Sequence, residues 1–176
     1  GTVISERALH EIVQAVVDEN HRRTAPGRRH LFLLHDQVYS VLGFGDARHH
    51  LPVVLVPEAA PWVISLDGIS KWLAATGLRV GWVMGPPPVV RRMKDLLGHI
   101  GAWAPRPEQI ALAGFLDDRE SLAAFRRQMA ERVQTRLDTL HRGLVSLRRD
   151  GYPVDCIEPQ GAIYMSLHLD LVGRRL

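Results

Sequence analysis

The run Leu66-Asp67-Gly68-Ile69-Ser70-Lys71, continuing through Trp72-Leu73-Ala74-Ala75-Thr76-Gly77 to Leu78-Arg79-Val80-Gly81-Trp82, decides how the rest of the chain is read. It begins where the apolar stretch Trp62-Val63-Ile64-Ser65-Leu66 gives way to a small, flexible turn, the pattern of a buried strand running out into a loop. A lone lysine follows the turn, and an arginine comes eight residues after it. Lysine is scarce here: of 22 basic residues only Lys71 and Lys94 are lysines. A primary amine just past a strand end can form a Schiff base if burial or nearby cations keep part of it unprotonated. Arg79 offers what an amine cannot, a permanent planar fork of donors for a phosphate. Taken alone, the two residues would more plainly be an exposed lysine and a surface arginine on a strand-turn-strand.

A carbonyl cofactor with a phosphate tail would use both groups, and pyridoxal 5'-phosphate is that cofactor. The whole pattern, Gly68-Ile69-Ser70-Lys71, then Ala74-Ala75, then Gly77-Leu78-Arg79-Val80-Gly81, resembles the pyridoxal-phosphate attachment signature of the class I/II aminotransferases, the aspartate aminotransferase superfamily. The resemblance implies an α/β fold: part of a fold-type I large domain, a mostly parallel sheet with flanking helices, followed by the start of an α+β small domain. It also implies that Lys71 carries the cofactor as a Schiff base and that Arg79, with Ser70, holds its phosphate. Gly68 stands where some members have a phosphate-binding serine, with Ser70 and Ser65 as the nearby hydroxyls.

Upstream, Ser5 is a candidate N-cap, and Leu9, Ile12, Val13, Val16 and Val17 recur on one helical face as far as about Asn20. Leu31-Phe32-Leu33-Leu34 reads as a buried strand with little alternation, as parallel strands covered on both faces do. Asp36 and Tyr39 follow at its carboxyl end, where open parallel sheets bind ligands. By resemblance, Asp36 pairs with the cofactor's pyridine nitrogen and Tyr39 reaches its ring oxygen. A buried counter-charge keeps such a nitrogen protonated and the ring an electron sink. Residues 43–52 read as a loop. Its His49-His50 doublet does not suggest a metal, because neighbouring side chains point apart and no Cys or carboxylate lies at ligand spacing. Val53–Val56 reads as a short strand.

Downstream, Arg79–Met84 reads as the next strand, and Gly85-Pro86-Pro87-Pro88 opens a helix at about Val89 that ends near Gly98–Gly101. Trp103-Ala104-Pro105-Arg106-Pro107 resembles the family loop that reaches toward the neighbouring subunit; the usual Ser or Thr is absent, and a structural loop is the plainer reading for Trp103 and Arg106. Gln109–Leu116 begins another helix. From Glu120, Leu122, Phe125, Met129, Val133, Leu137, Leu140, Leu144 and Leu147 form one sustained apolar stripe, the long helix that joins the large and small domains in the family. Pro159-Gln160-Gly161-Ala162 resembles the family's Pro-x-Gly-Ala stretch, with Ile163 in place of its aromatic. The expected organisation is 1–118 for the C-terminal part of the large domain, 119–150 for the connecting helix and 151–176 for the start of the small domain.

Apolar content of 46% supports a substantial core, and no run of about twenty apolar residues argues for a membrane span. With a net charge of +3 and dispersed arginines, nucleic-acid binding is not expected. The single Cys156 cannot form an internal disulfide, which leans toward a reducing, cytoplasmic setting. The resemblance spans nearly all of this chain but well under half of the family's length. Gly1-Thr2 looks like the tail of the family's Asn-Pro-Thr-Gly stretch. The upstream phosphate loop, the ring-stacking aromatic and the C-terminal arginine for the substrate carboxylate are not in the sequence; Arg174 and Arg175 follow Gly161 too closely to be that arginine. Independent transaminase activity of the 176 residues is therefore not expected. For the intact enzyme the resemblance implies transamination between an amino acid and a 2-oxo acid by a homodimer. A lyase or decarboxylase on the same cofactor and a non-catalytic effector-binding module are the alternatives.

Overall fold

Helix α1 (Glu6–Arg22) starts where Ser5 Oγ accepts a hydrogen bond from the Ala8 N–H at 3.2 Å, the expected cap. Its buried residues Leu9, Val13, Val17 and Asn20 recur every three or four positions, while Ile12 stays 45% exposed. The computed structural model describes residues 1–173, so Arg174 and Arg175 lie outside the described residues. Asn20 ends the buried stripe and clamps the following loop: its Oδ1 accepts from the Leu31 N–H at 2.8 Å and its Nδ2 donates to the Leu31 carbonyl at 2.9 Å. Asn20→Ala removes both partners from the part-buried Leu31 backbone groups and is expected to cost about 1–3 kcal/mol, read from the urea midpoint.

The clamp delivers the chain into β1 (Leu33–Asp36), two residues later than the sequence pattern suggested. Strand β2 (Val63–Gly68) pairs with β1 in parallel, Leu33 opposite Val63 and Asp36 opposite Leu66. Strand β3 (Gly81–Met84) pairs antiparallel on the other side of β2, Gly68 opposite Gly81. The connection from β1 to β2 holds a short helix α2 (Pro52–Leu55) and a 3-10 helix (Pro57–Trp62). Val53–Leu55 is thus helical rather than a strand: Pro52 sits at the first helical position, and the N–H of the capping Val56 donates to the Pro52 carbonyl at 2.9 Å.

Leu9, Val13 and Val17 of α1 pack against Val56, Ala59 and Val63, with Leu33 and Trp62 at the edge of the cluster. The other face of β1 is uncovered, Leu34 being 62% exposed, so the expectation of a strand covered on both sides fails within the described residues. A second cluster, Leu42, Ile69, Trp72 and Val80, lies under the turn that follows β2. Leu112 and Leu116 of α4 (Arg106–Asp117) and Leu122 and Met129 of α5 (Arg119–Arg149) pack against it. Ahead of both, α3 (Pro87–Ile100) ends on Gly101 in the left-handed conformation. It is amphipathic yet has no fully buried residue, Leu96 and Ile100 being 59% and 63% exposed. After α5, β4 (Val154–Cys156) and β5 (Leu167–Leu169) form a separate antiparallel pair.

Between β4 and β5 the chain returns to the first sheet. The Ala162 N–H donates to the Leu42 carbonyl at 2.9 Å, and the Phe44 N–H to the Gln160 carbonyl at 2.9 Å. A Cβ on Gly161 would stand 2.6 Å from the Leu42 carbonyl oxygen, so only glycine lets the two segments bridge. This return sets Tyr164 edge-on against Tyr39, ring centroids 5.6 Å apart, beside the carboxyl end of β1.

Candidate functional site

The turn after β2 sets an inward-facing pair of side chains around an outward-facing pair. Ile69 and Trp72 point into the second core cluster, at 1% and 7% exposure, and anchor the turn from below. Ser70 and Lys71, between them, are left half-buried and line a cavity of about 400 Å³. Three hydrogen bonds hold the loop beyond: Ala74 N–H to the Lys71 carbonyl at 3.1 Å, Thr76 Oγ1 to the Ser70 carbonyl at 2.9 Å, and Arg79 Nη1 to the Thr76 carbonyl at 2.9 Å. Arg79 is not the first residue of β3. It adopts φ 55°, the left-handed region, and caps the 3-10 turn Thr76–Leu78. That conformation costs a non-glycine residue about 1 kcal/mol or more and here turns the chain so that Arg79 lines the same cavity as Lys71.

Asp36 enters that cavity from the last position of β1, its Oδ1 accepting the Val38 N–H at 3.1 Å. Four of the five sequence-predicted groups, Asp36, Ser70, Lys71 and Arg79, therefore line one space. The fifth, Tyr39, lies beside it: the Lys71 Nζ stands 5.9 Å from the centre of the Tyr39 ring, at the outer reach of a cation–π contact. Tyr39 lines an adjoining cavity of about 230 Å³ that shares Asp36 with the first. Ser65 is buried within β2 and does not line the Lys71 cavity.

Two residues of the cavity were not singled out by sequence. Thr76 closes the loop as described, and Asp67 brings a second carboxyl, one residue before Gly68. Burial pushes the Asp67 carboxyl up; the Gly68 N–H, 2.7 Å from its Oδ1, partly offsets this. Behind Asp36, His35 and His49 stack with centroids 5.4 Å apart, and burial holds both imidazoles below the ordinary value. His35 Nδ1 is buried with no hydrogen-bond partner among the described residues. The doublet does point apart: His49 turns to Gln37, His50 to Glu6.

An imidazole whose folded value lies below its unfolded value of about 6.5 leaves stability intact above that value and loses it as pH falls below. Asp67, raised, acts oppositely: its contribution is full below the ordinary carboxylate range and is lost as pH rises above it. Acidification from pH 7 to 5.5 is thus expected to lower the urea midpoint through His35 and His49, and His35→Phe should flatten that fall.

The donor set fits pyridoxal phosphate: one amine for the aldehyde, a guanidinium and a hydroxyl for the phosphate, and a carboxylate for the ring nitrogen, around a cavity of small-molecule size. The class of protein defined by this fold is a mixed α/β one with a ligand cavity at the carboxyl ends of β1 and β2. A family model described as aminotransferase class I and II matches residues 1–172. The chain belongs to that family. It is 35% identical over 135 residues to an aspartate aminotransferase of Streptomyces avermitilis, covering 76% of this chain and 31% of the relative. It is 30% identical over 165 residues to a probable aspartate/prephenate aminotransferase of Thermus aquaticus, covering 94% and 38%. The solved aspartate aminotransferase from Rhizobium meliloti superposes with a TM-score of 0.80 at 23% identity, over 94% of this chain and 38% of that one, and shows the shared fold-type I architecture. The chain thus spans about a third of the length of the curated relatives it matches.

Proposed function

We propose that this chain carries the cofactor-holding centre of a pyridoxal-phosphate-dependent aminotransferase that moves an amino group between an amino acid and a 2-oxo acid. The observation that carries the reading is the convergence of Lys71, Arg79, Ser70 and Asp36 on one cavity. When bound, the cofactor supplies an electron sink for the substrate's Cα. Lys71 would hold the cofactor at its aldehyde carbon, and its Nζ would take the proton from the substrate Cα as base and return it as acid. Arg79 and Ser70 would hold the phosphate, Asp36 would keep a proton on the ring nitrogen, and Tyr39 would reach the ring oxygen.

The same proposal divides the chain into large-domain, connecting-helix and small-domain parts at 1–118, 119–150 and 151–176. In this reading the complete activity is that of a dimeric, cytoplasmic protein, and the 176 residues by themselves do not transaminate. The uncovered apolar residues Leu34, Leu96 and Ile100 support a need for further chain or a second copy.

Because the chain has two lysines, it holds its own control. After incubation with pyridoxal phosphate and borohydride reduction, peptide mass spectrometry is expected to find the phosphopyridoxyl adduct on Lys71 and not on the exposed Lys94. Equal labelling of both, or of neither, would overturn the reading.

A further inference from the structure

The segment between β4 and β5 brings one aromatic residue, Tyr164, close to the Lys71 site, and the chemistry above gives it no role. Its place is fixed by the backbone. The Ala162 N–H donates to the Leu42 carbonyl at 2.9 Å, and the Leu42 N–H in turn donates to the Tyr39 carbonyl at 2.9 Å. Ala162 is 7% exposed and adopts φ 64°, a left-handed conformation that residues with a Cβ seldom take. Strain of that kind persists only where the surroundings impose it, and it concentrates near functional sites. Just past this residue the Tyr164 ring meets the Tyr39 ring edge-on, centroids 5.6 Å apart and planes at 78°, the arrangement aromatic pairs favour.

We propose that Tyr164 is a positioning residue of the cofactor site and acts through Tyr39. This rests on the reading of the Lys71 cavity as the pyridoxal-phosphate site, with Tyr39 as the group that reaches the ring oxygen. Tyr164 lines the smaller cavity together with Tyr39 and does not line the Lys71 cavity, so its influence is indirect. The Tyr39 ring packs on the cluster of Leu42, Ile69, Trp72 and Val80, and the Lys71 Nζ stands 5.9 Å from its centre. An apolar floor seats a ring but tolerates tilt, because hydrophobic contact is non-directional. A second ring set edge-on is selective for tilt, because the two quadrupoles favour that geometry over others.

The Tyr39 hydroxyl sits at the far end of its ring, where a tilt moves it most, and hydrogen bonds weaken steeply as they bend. Losing the Tyr164 ring therefore costs affinity only for a ligand that offers Tyr39 an oxygen. The phosphate contact is untouched, since Arg79 is steered by the Thr76 carbonyl within the lysine loop itself. Tyr164 is 52% exposed, so its replacement leaves the core intact. An aromatic pair of this geometry is worth roughly a three- to tenfold change in an equilibrium constant.

The test titrates the whole chain with pyridoxal phosphate and with its deoxy analogue, which keeps the aldehyde, ring nitrogen and phosphate but has no ring oxygen. Tyr164→Leu is expected to weaken pyridoxal phosphate by roughly three- to tenfold and the analogue by less than about twofold. Tyr164→Phe keeps the edge-on ring and should bind both ligands as the wild type does. In a Tyr39→Phe chain, which lacks the hydroxyl, Tyr164→Leu should add no further loss. NMR of the unliganded chain with ring-labelled tyrosine gives a readout without cofactor: Tyr164→Leu should shift the Tyr39 signals and leave those of Tyr152 in place. Equal weakening of both ligands, as a purely structural role would give, or unmoved Tyr39 signals, with Lys71 still labelled after borohydride, would overturn the role of Tyr164 and leave the cofactor site standing. A wild-type chain that neither binds saturably nor labels at Lys71 would overturn the cofactor site, and the role of Tyr164 with it.

Discussion

Lys71→Ala is expected to abolish the borohydride-trapped adduct outright, and Arg79→Gln to weaken pyridoxal-phosphate retention by about 10- to 100-fold, the equivalent of one strong charge-assisted contact. The two losses differ in kind, and that difference is the diagnostic. Lys71 provides the only amine on the cavity wall, since Lys94 lies on α3, so its removal leaves no group to bond the aldehyde. Arg79 provides charge and direction. One of its N–H groups is engaged by the Thr76 carbonyl at 2.9 Å, which steers the guanidinium while leaving other donors free for a phosphate. Arg79→Lys should recover charge but not the fork, and so only part of the affinity. Thr76→Val, which removes the Thr76 hydroxyl from the Ser70 carbonyl, should weaken both properties together by loosening the loop that joins them. Measurement by adduct mass and by equilibrium titration separates the two. An Arg79→Gln chain that binds as tightly as wild type would show that the phosphate is held elsewhere.

The residues of this site were legible because their spacing encodes an alternation the backbone enforces. Buried Ile69 and Trp72 bracket Ser70 and Lys71, and a strand end places Asp36 at the same edge of the sheet. Legibility failed where tertiary context decides. Val53–Val56 is β-branched and apolar, as strands are, yet Pro52 and the packing of Val56 against α1 make Val53–Leu55 helical. Leu31–Leu34 is apolar throughout, which suggests burial on both faces, but apolarity does not say whether a second layer is present; Leu34 has none among the described residues. Asp67 escaped notice because a carboxylate beside a glycine reads as a turn residue, and only the parallel pairing that puts Asp36 opposite Leu66 reveals two carboxyls at one cavity. Gln37, His49 and His35 come together through a fold-back of the chain after β1, and nothing in their spacing announces it.

Gly68→Ala is expected to destabilise the chain by about 1–3 kcal/mol and to reduce Lys71 labelling in proportion, because the glycine is required by the sheet and not by flexibility. Gly68 and Gly81 stand directly opposite each other in the β2–β3 ladder. A Cβ built on Gly68 would lie 3.0 Å from the Gly81 Cα and 3.0 Å from the Val80 carbonyl oxygen. One built on Gly81 would lie 3.0 Å from the Asp67 carbonyl oxygen. All of these are backbone atoms held by the strand pairing, so no side chain can swing aside to relieve the contact. Gly81→Ala should therefore cost a similar amount. The double substitution should fall short of the sum of the two, since both methyls claim the same space and the strands separate once. Gly77→Ala is the contrast: a Cβ there meets nothing within 4 Å, so the change should be neutral or stabilise by up to about 1 kcal/mol through the unfolded chain. Urea midpoints for the four variants rank these effects directly. If Gly77→Ala proves as damaging as Gly68→Ala, the close approach of β2 and β3 beneath the lysine turn is not what the glycines serve.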